Sequence, residues 1–353
     1  MVTKVLKILL LLSPIAYLNG VHLQQFDIQF FHIGVMALFG ASLLDKPVRE
    51  FPRANKLAGG LIGLMLLNIG LHRMNPVVSI NCSHILLAMV ALFIIVRYVR
   101  EPKQLYFYII LPAVINICVF TLQRVGVDLI FNAAADPGGL MGNAPRLMTY
   151  LGIVLPFMWF GLGFLFITCI SCAVAGTEVT LLASAMVMLM FKTKHVVAKD
   201  VRIACRIGLV AVSAIACYVF RDSIITSLAN RLETWKGILV GFFAQPIAGF
   251  GLGIFPYKEE VAWIVPAEHT FTIYSSFLQF ITGIGIAGFI WLFFVLKKYK
   301  SHFTLTPASL SILSLTIFCL VEYPIEIHRI WLTIISIVGI FIIESKQKEC
   351  ADG

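Results

Sequence analysis

The sequence predicts an all-α integral membrane protein, a polytopic bundle of about twelve transmembrane helices. Three observations predict it. Hydrophobic residues make up 59% and charged residues 13% of the 353 residues, whereas a soluble domain carries about 25% charge. Apolar segments able to cross a hydrocarbon core recur from one end of the chain to the other. Lys and Arg gather in alternate connections, the pattern that orients a polytopic chain. That placement makes the formal net charge of +9 topogenic. No nucleic-acid partner is expected.

The segments, in order, are 4–20, 27–44, 57–71, 77–97, 105–122, 146–159, 160–174, 177–191, 207–220, 272–296, 304–321 and 330–343. The first has the basic start and apolar middle of a signal peptide but no small-x-small cleavage site, so it is expected as an uncleaved first span. The stretch 146–191 divides into three because the flanking basic clusters require an odd number of crossings. Those clusters are Lys4 and Lys7; Lys46, Arg49, Arg53 and Lys56; Arg97, Arg100 and Lys103; Lys192, Lys194, Lys199, Arg202 and Arg206; Lys297, Lys298 and Lys300; and Lys346 and Lys348. All fall on one side, the cytoplasmic one, so both termini are cytoplasmic. The chain reads as a single membrane domain, 1–353, whose one long outward loop is 221–270. The cysteines lie in or beside spans and read as small core hydrophobes, Cys169-x-x-Cys172 included.

Function is sought in the outward polar residues. Arg73, Arg124, Arg146, Arg221, Arg231 and Arg329 face away from the topogenic side, and a guanidinium binds phosphate bidentately at any pH. The bland alternative is snorkelling to headgroups or pairing with loop carboxylates. Within the long excursion, Ile224 to Phe243 is expected to be helical, with Arg231 and Trp235 on one face. Leu228, Leu232, Leu239 and Phe243 suit it to the membrane surface. The run Gln245 to Pro256 cannot continue that helix, because two prolines and three glycines break it. Glu268 and His269 are candidate general bases, against a role in capping the next span. Glu178 stands at an outward turn, where a carboxylate is either functional or simply solvated. His32 and His84 read as packing residues, and Glu322, Glu326, His328 and Arg329 as an ion-paired cluster. No Walker loop, HExxH or Cys-rich pair occurs, so no metal or other cofactor is expected.

Three segments resemble the O-antigen ligase and O-antigen polymerase superfamily of bacterial inner-membrane, lipid-linked glycan transferases. Gly142-Asn-Ala-Pro-Arg146 is similar to the family's Gly-Asn-x-Asn segment. Arg231-Leu-Glu-Thr-Trp235 with Gln245-Pro-Ile-Ala-Gly-Phe-Gly-Leu-Gly-Ile-Phe255 resembles its Arg-x-x-x-Trp and Asn-Pro-x-x-Gly-x-Gly-x-Gly-x-Phe segments. Ser275-Ser-Phe-Leu-Gln279 through Gly288 resembles its His-Asn-x-Tyr-Leu-Gln helix. The likeness covers about residues 140–290. It departs at Tyr274, which takes the family's His position, and at Thr177-Glu178, which takes a Ser-Arg turn.

The resemblance implies a GT-C-like fold in the bacterial inner membrane. It implies metal-independent transfer of a glycan from an undecaprenyl-diphosphate carrier to an acceptor hydroxyl on the periplasmic face. Arg221, Arg231 and Arg146 would hold the diphosphate. Glu268 or His269, with Arg231, would be catalytic, and Tyr274, Ser275 and Glu178 would lie on the acceptor side. The partners are then the lipid-linked oligosaccharide, membrane lipid and a chain-length regulator. Because both departures fall on residues expected of a ligase, the reading leans to a polymerase. A ligase joining glycan to lipid A-core is the alternative, and a polysaccharide-precursor flippase or permease is the alternative of another class.

Overall fold

A computed structural model describes residues 1–14, 21–23, 26–49, 56–73, 75–127, 139–141, 144–158, 221–253, 275–300, 303, 306–321 and 328–352. Helix dominates them. The chain begins with α1 (Val2–Leu12). The expected first span ran to residue 20, but the helix stops at Ser13-Pro14, where a proline ring and a missing N–H oppose continuation. The Ser13 hydroxyl instead donates to the Arg329 carbonyl. An antiparallel hairpin follows, β1 (Val21–Leu23) and β2 (Phe26–Ile28), with Val21 opposite Ile28. It takes the start of the expected 27–44 span and leaves α2 (Phe30–Leu43), capped by a reciprocal Gln29–His32 pair.

Next come α3 (Lys56–Leu71), α4 (Pro76–Tyr98), α5 (Tyr106–Arg124) and α6 (Ala144–Met158), close to the sequence expectation. Asn75 caps α4 by accepting from the Val77 N–H at 3.0 Å, with Pro76 at the first helical position. The outward excursion opens with α7 (Arg221–Ala244). The expected 272–296 span is instead two helices, α8 (Ser276–Ile284) and α9 (Ile286–Tyr299), separated at Gly285. Then follow α10 (Pro307–Val321) and α11 (Trp331–Asp352).

Among the described residues two helical stretches are long and apolar enough to cross a membrane, Pro76–Tyr98 and Pro102–Gln123. Phe30–Leu43, Lys56–Leu71, Arg146–Met158 and Pro307–Leu320 are shorter apolar helices. At 14 residues, α2 is about 21 Å long. The described residues are thus mainly helical with two span-length helices, a coarser result than a bundle of twelve. Of the other expected segments, 4–20, 27–44 and 304–321 meet shorter helices and 272–296 a broken one, 57–71, 146–159 and 330–343 meet helices of at least the expected length, and 160–174, 177–191 and 207–220 lie outside the described residues.

The helix α4 is central, packing on α2, α3 and α11, while α6 packs on α10 and α5 on α1 and α6. The main core comes from α1, α2, α4, α5, α6, α10 and α11, with Phe31, Phe120, Tyr150, Phe157 and Phe318 fully buried. His32 and His84 lie in it side by side, ring centroids 4.8 Å apart, against Trp331. A second, smaller apolar cluster joins α3 and α4 to the excursion: Met65, Val78, Cys82, Leu252 and Ile284. Outward faces stay apolar. Ile33, Met36 and Leu43 are exposed along α2, and Ile286, Phe289, Ile290, Phe293 and Phe294 along α9, at helical spacing.

One end of the bundle collects the basic connections. The N-terminal ammonium and the Val2 N–H both donate to Asp45, and that ammonium contact above all holds the Asp45 carboxyl below its usual range. Lys7 sits over the Tyr108 ring and reaches Gln104. Arg49 donates to the carbonyls of Val96 (3.1 Å), Val99 and Arg100 (3.2 Å), closing the C-terminal end of α4. Partial burial lowers the Arg49 pKa, from a value high enough that the guanidinium stays charged. The Tyr106 hydroxyl donates to Glu344 at 2.7 Å. The candidate site lies at the opposite end.

Candidate functional site

The excursion begins as a regular helix because Arg221 to Ala244 contains no proline and only two glycines. On α7, Arg231 and Trp235 are half-buried and Ile238 is buried. Their spacing of four and three residues makes one face, turned toward protein, and α7 packs on α8. The Trp235 indole N–H is buried and has no hydrogen-bond partner among the described residues. Leu232, Leu239, Val240 and Phe243 remain exposed on the other side, an apolar face of the kind expected of a helix lying on a membrane surface. Arg221 is exposed at the helix start. Ten residues separate it from Arg231, about 15 Å along the axis.

After Ala244 the chain makes a tight turn, Gln245 to Gly253. Gly249, Gly251 and Gly253 all have positive φ. The turn pairs with the break between α8 and α9. Phe250 N–H donates to the Thr282 carbonyl and Gly251 N–H to that of Gly283, each at 3.0 Å. Ile286 N–H donates back to Pro246 at 2.8 Å. The Leu252 N–H is taken by the Asn68 side chain at 3.0 Å, and the Gly249 N–H by the Gln245 carbonyl at 3.0 Å.

Two glycines are indispensable here. A Cβ on Gly249 would stand 2.6 Å from the carbonyl oxygens of Thr282 and Gly283. Gly285 sits at φ 79, where the helix breaks to let the turn approach. Consecutive backbone N–H groups from 249 to 252 are therefore committed to protein acceptors. This glycine run is a mechanical joint, not a phosphate cradle of the kind whose N–H groups point at a ligand.

The other expected residues are distributed as follows. Ser275 is buried. Its hydroxyl accepts from the Leu278 N–H at 3.2 Å and donates to the Cys319 carbonyl at 3.1 Å. It caps α8 and ties it to α10. Arg146 is exposed near the start of α6. The turn before α6 is fixed by Asn116, which accepts from Leu140 N–H, by Gln123, which accepts from Gly139 N–H (both 2.9 Å), and by Arg329, which donates to the Leu140 carbonyl at 3.3 Å. Arg329 is thereby half-buried and structural. Arg73 is exposed after α3. Glu178, Glu268, His269 and Tyr274 lie outside the described residues. So do Glu322 and Glu326. The helix α8 packs on α7 and pairs with the turn, and α10 packs on both α6 and α8.

Two residues at this end escape sequence reasoning. Asn68 on α3 and His72, just past its end, both meet the turn and carry no motif. The His72 ring lies where a Cβ on Gly251 would come within 3.2 Å of it, and its Nε2 is buried without a partner among the described residues. The only sequence signal was a polar Asn within an otherwise apolar helix. Among the described residues no three His, Cys, Asp or Glu side chains form a metal-ligand group. The chain matches no protein-family model and no curated protein.

Proposed function

We propose that the chain is an integral membrane glycosyltransferase, a polymerase that extends a surface polysaccharide from an undecaprenyl-diphosphate-linked donor. The observation that carries the reading is the Arg231–Trp235 face of α7, held at the non-basic end of the bundle by a joint whose own N–H groups are occupied. The apolar outer faces of α2 and α9 support a lipid setting, since so much contiguous exposed apolar surface is a liability in water. The bundle end crowded with Lys and Arg supports a cytoplasmic orientation for that end.

In this reading Arg231 neutralises charge that builds on the departing diphosphate as the sugar C1–O bond breaks. The acceptor hydroxyl forms the new C1–O bond and loses its proton to a base, Glu268 or His269. Arg221, about 15 Å along the helix, meets a different part of an elongated ligand, as a second contact. The test is Arg231→Ala in the native host. It abolishes long-chain polymer while the protein still inserts, and a wild-type ladder on a polysaccharide gel removes Arg231 from the site. The acceptor is read from the deletion strain: a single repeat unit on the core marks a polymerase, and bare core with polymer stranded on the carrier marks a ligase.

One observation favours a second reading. The discontinuous helix α8–Gly285–α9 is a feature of transporters that bind substrate at broken helices. Purified protein in liposomes with lipid-linked oligosaccharide separates the two: glycosidic bond formation marks the transferase, and movement of intact donor across the bilayer marks the flippase.

A further inference from the structure

Asn68 stands where three remote parts of the chain meet. It is 2% exposed, within the apolar α3. Its amide nitrogen donates to the Gly283 carbonyl at 2.9 Å. Its amide oxygen accepts from the Leu252 N–H at 3.0 Å and the Cys82 thiol at 3.6 Å. A single side chain thus grips both partners of the joint, the glycine turn and the broken helix. The surroundings give no other reason for an amide. Met65, Val78, Cys82, Leu252 and Ile284 make an apolar cluster in which leucine would match both volume and polarity. Burying an amide there is costly unless it is bonded, and its bonds are to the joint.

We infer that Asn68 is a positioning residue for the donor site: it fixes Gln245–Gly253 against Gly283 and so sets how α7 presents Arg231 and Trp235. The mechanical path is short. The helix α7 ends at Ala244, and within two residues Pro246 is already bonded to Ile286 at the start of α9. Asn81 adds a weaker contact from α4 to the Leu252 carbonyl at 3.4 Å, so the turn is held from α3, α4 and α8 together, with Asn68 at the centre. The inference rests on the donor-binding reading above.

The experiment compares Asn68→Ala, Asn68→Leu and Tyr106→Phe with the wild type in lipid nanodiscs. It reads backbone hydrogen exchange over 250–252 and affinity for undecaprenyl diphosphate. Asn68→Ala removes the side chain's two hydrogen bonds to the joint, so Leu252 exchange should rise about tenfold to a hundredfold, with undecaprenyl diphosphate binding weakened about tenfold. Asn68→Leu keeps the apolar volume filled and should show the same loss, which separates lost polar grip from an unfolded protein. In a turnover assay the loss should appear in KM for the lipid-linked donor, with kcat within a few-fold. Tyr106→Phe, at the far end, should lower thermal stability without changing affinity. Unchanged exchange at Leu252, or wild-type affinity in both Asn68 variants despite faster exchange, overturns the inference while the donor reading survives. If the wild type itself does not bind undecaprenyl diphosphate, the donor reading fails and the positioning role falls with it.

Discussion

Replacing Gly249 by alanine should open the joint, and the size of the effect can be worked from its geometry. Gly249 sits at φ 66, where a residue with a Cβ pays about 1–2 kcal/mol. The new methyl would lie 2.6 Å from two carbonyl oxygens, those of Thr282 and Gly283. Both are backbone, so no rotamer change relieves the clash and the turn must retreat. Retreat breaks the Phe250–Thr282 and Gly251–Gly283 hydrogen bonds, at about 0.5–1.5 kcal/mol each. The sum is about 2–5 kcal/mol, an increase in the open population of about 30-fold to about 4,000-fold. Hydrogen exchange of the protein in nanodiscs measures this directly at Phe250, Gly251 and Leu252. The main core, built from other helices, should keep its melting temperature within a few degrees. Wild-type exchange at all three amides would refute the reasoning, because the carbonyl pairing would then not be what holds the turn. Combined with Asn68→Ala, the two effects should be less than additive, since both undo one joint.

Three further outcomes follow from contacts at the basic end. Arg49→Leu should destabilise the protein by about 2–3 kcal/mol through loss of charged hydrogen bonds to the α4 terminus, and Arg49→Lys should recover only part, lacking the fork that spans several carbonyls; thermal unfolding in detergent checks both. Tyr106→Phe leaves the Glu344 carboxylate without its 2.7 Å donor and should cost about 1–3 kcal/mol, read the same way. Asp45 has a depressed pKa, so its contribution should be fully present above the unfolded carboxylate pKa of about 3.9 and vanish as pH falls through the lower folded value. Being part-exposed, the pair should contribute under about 1 kcal/mol; Asp45→Asn should thus lower the melting temperature slightly at pH 7 and not at pH 2, and an equal loss at both would contradict the assignment.

Local chemistry was legible in the sequence and long-range pairing was not. The helices α3, α4 and α5 fall within two residues of their expected limits because apolar length and flanking charge decide them. The helical start of the excursion was expected from Ile224 and is found from Arg221, and the turn after Ala244 follows from its prolines and glycines. The break at Gly285 was missed: glycine is tolerated in membrane helices, and what opens this one is a turn more than thirty residues earlier in the chain pressing against it. The Ser275 hydroxyl donates to the Cys319 carbonyl, a partner that no local pattern announces. Asn68 was passed over for the same reason. Its bonds run to positions 184 and 215 residues away.

That separation has a consequence for biogenesis. When α3 leaves the ribosome, neither Leu252 nor Gly283 has been made. At about 5–20 residues per second, roughly 10–40 s of synthesis must pass before the Gly283 carbonyl exists. Through that interval the Cys82 thiol of α4 is the only one of these Asn68 partners yet made. The Asn68 bonds to the joint wait for the last third of the polypeptide. The joint is thus completed only after Gly283 is made, and the basic end later still, when Glu344 arrives to meet Tyr106.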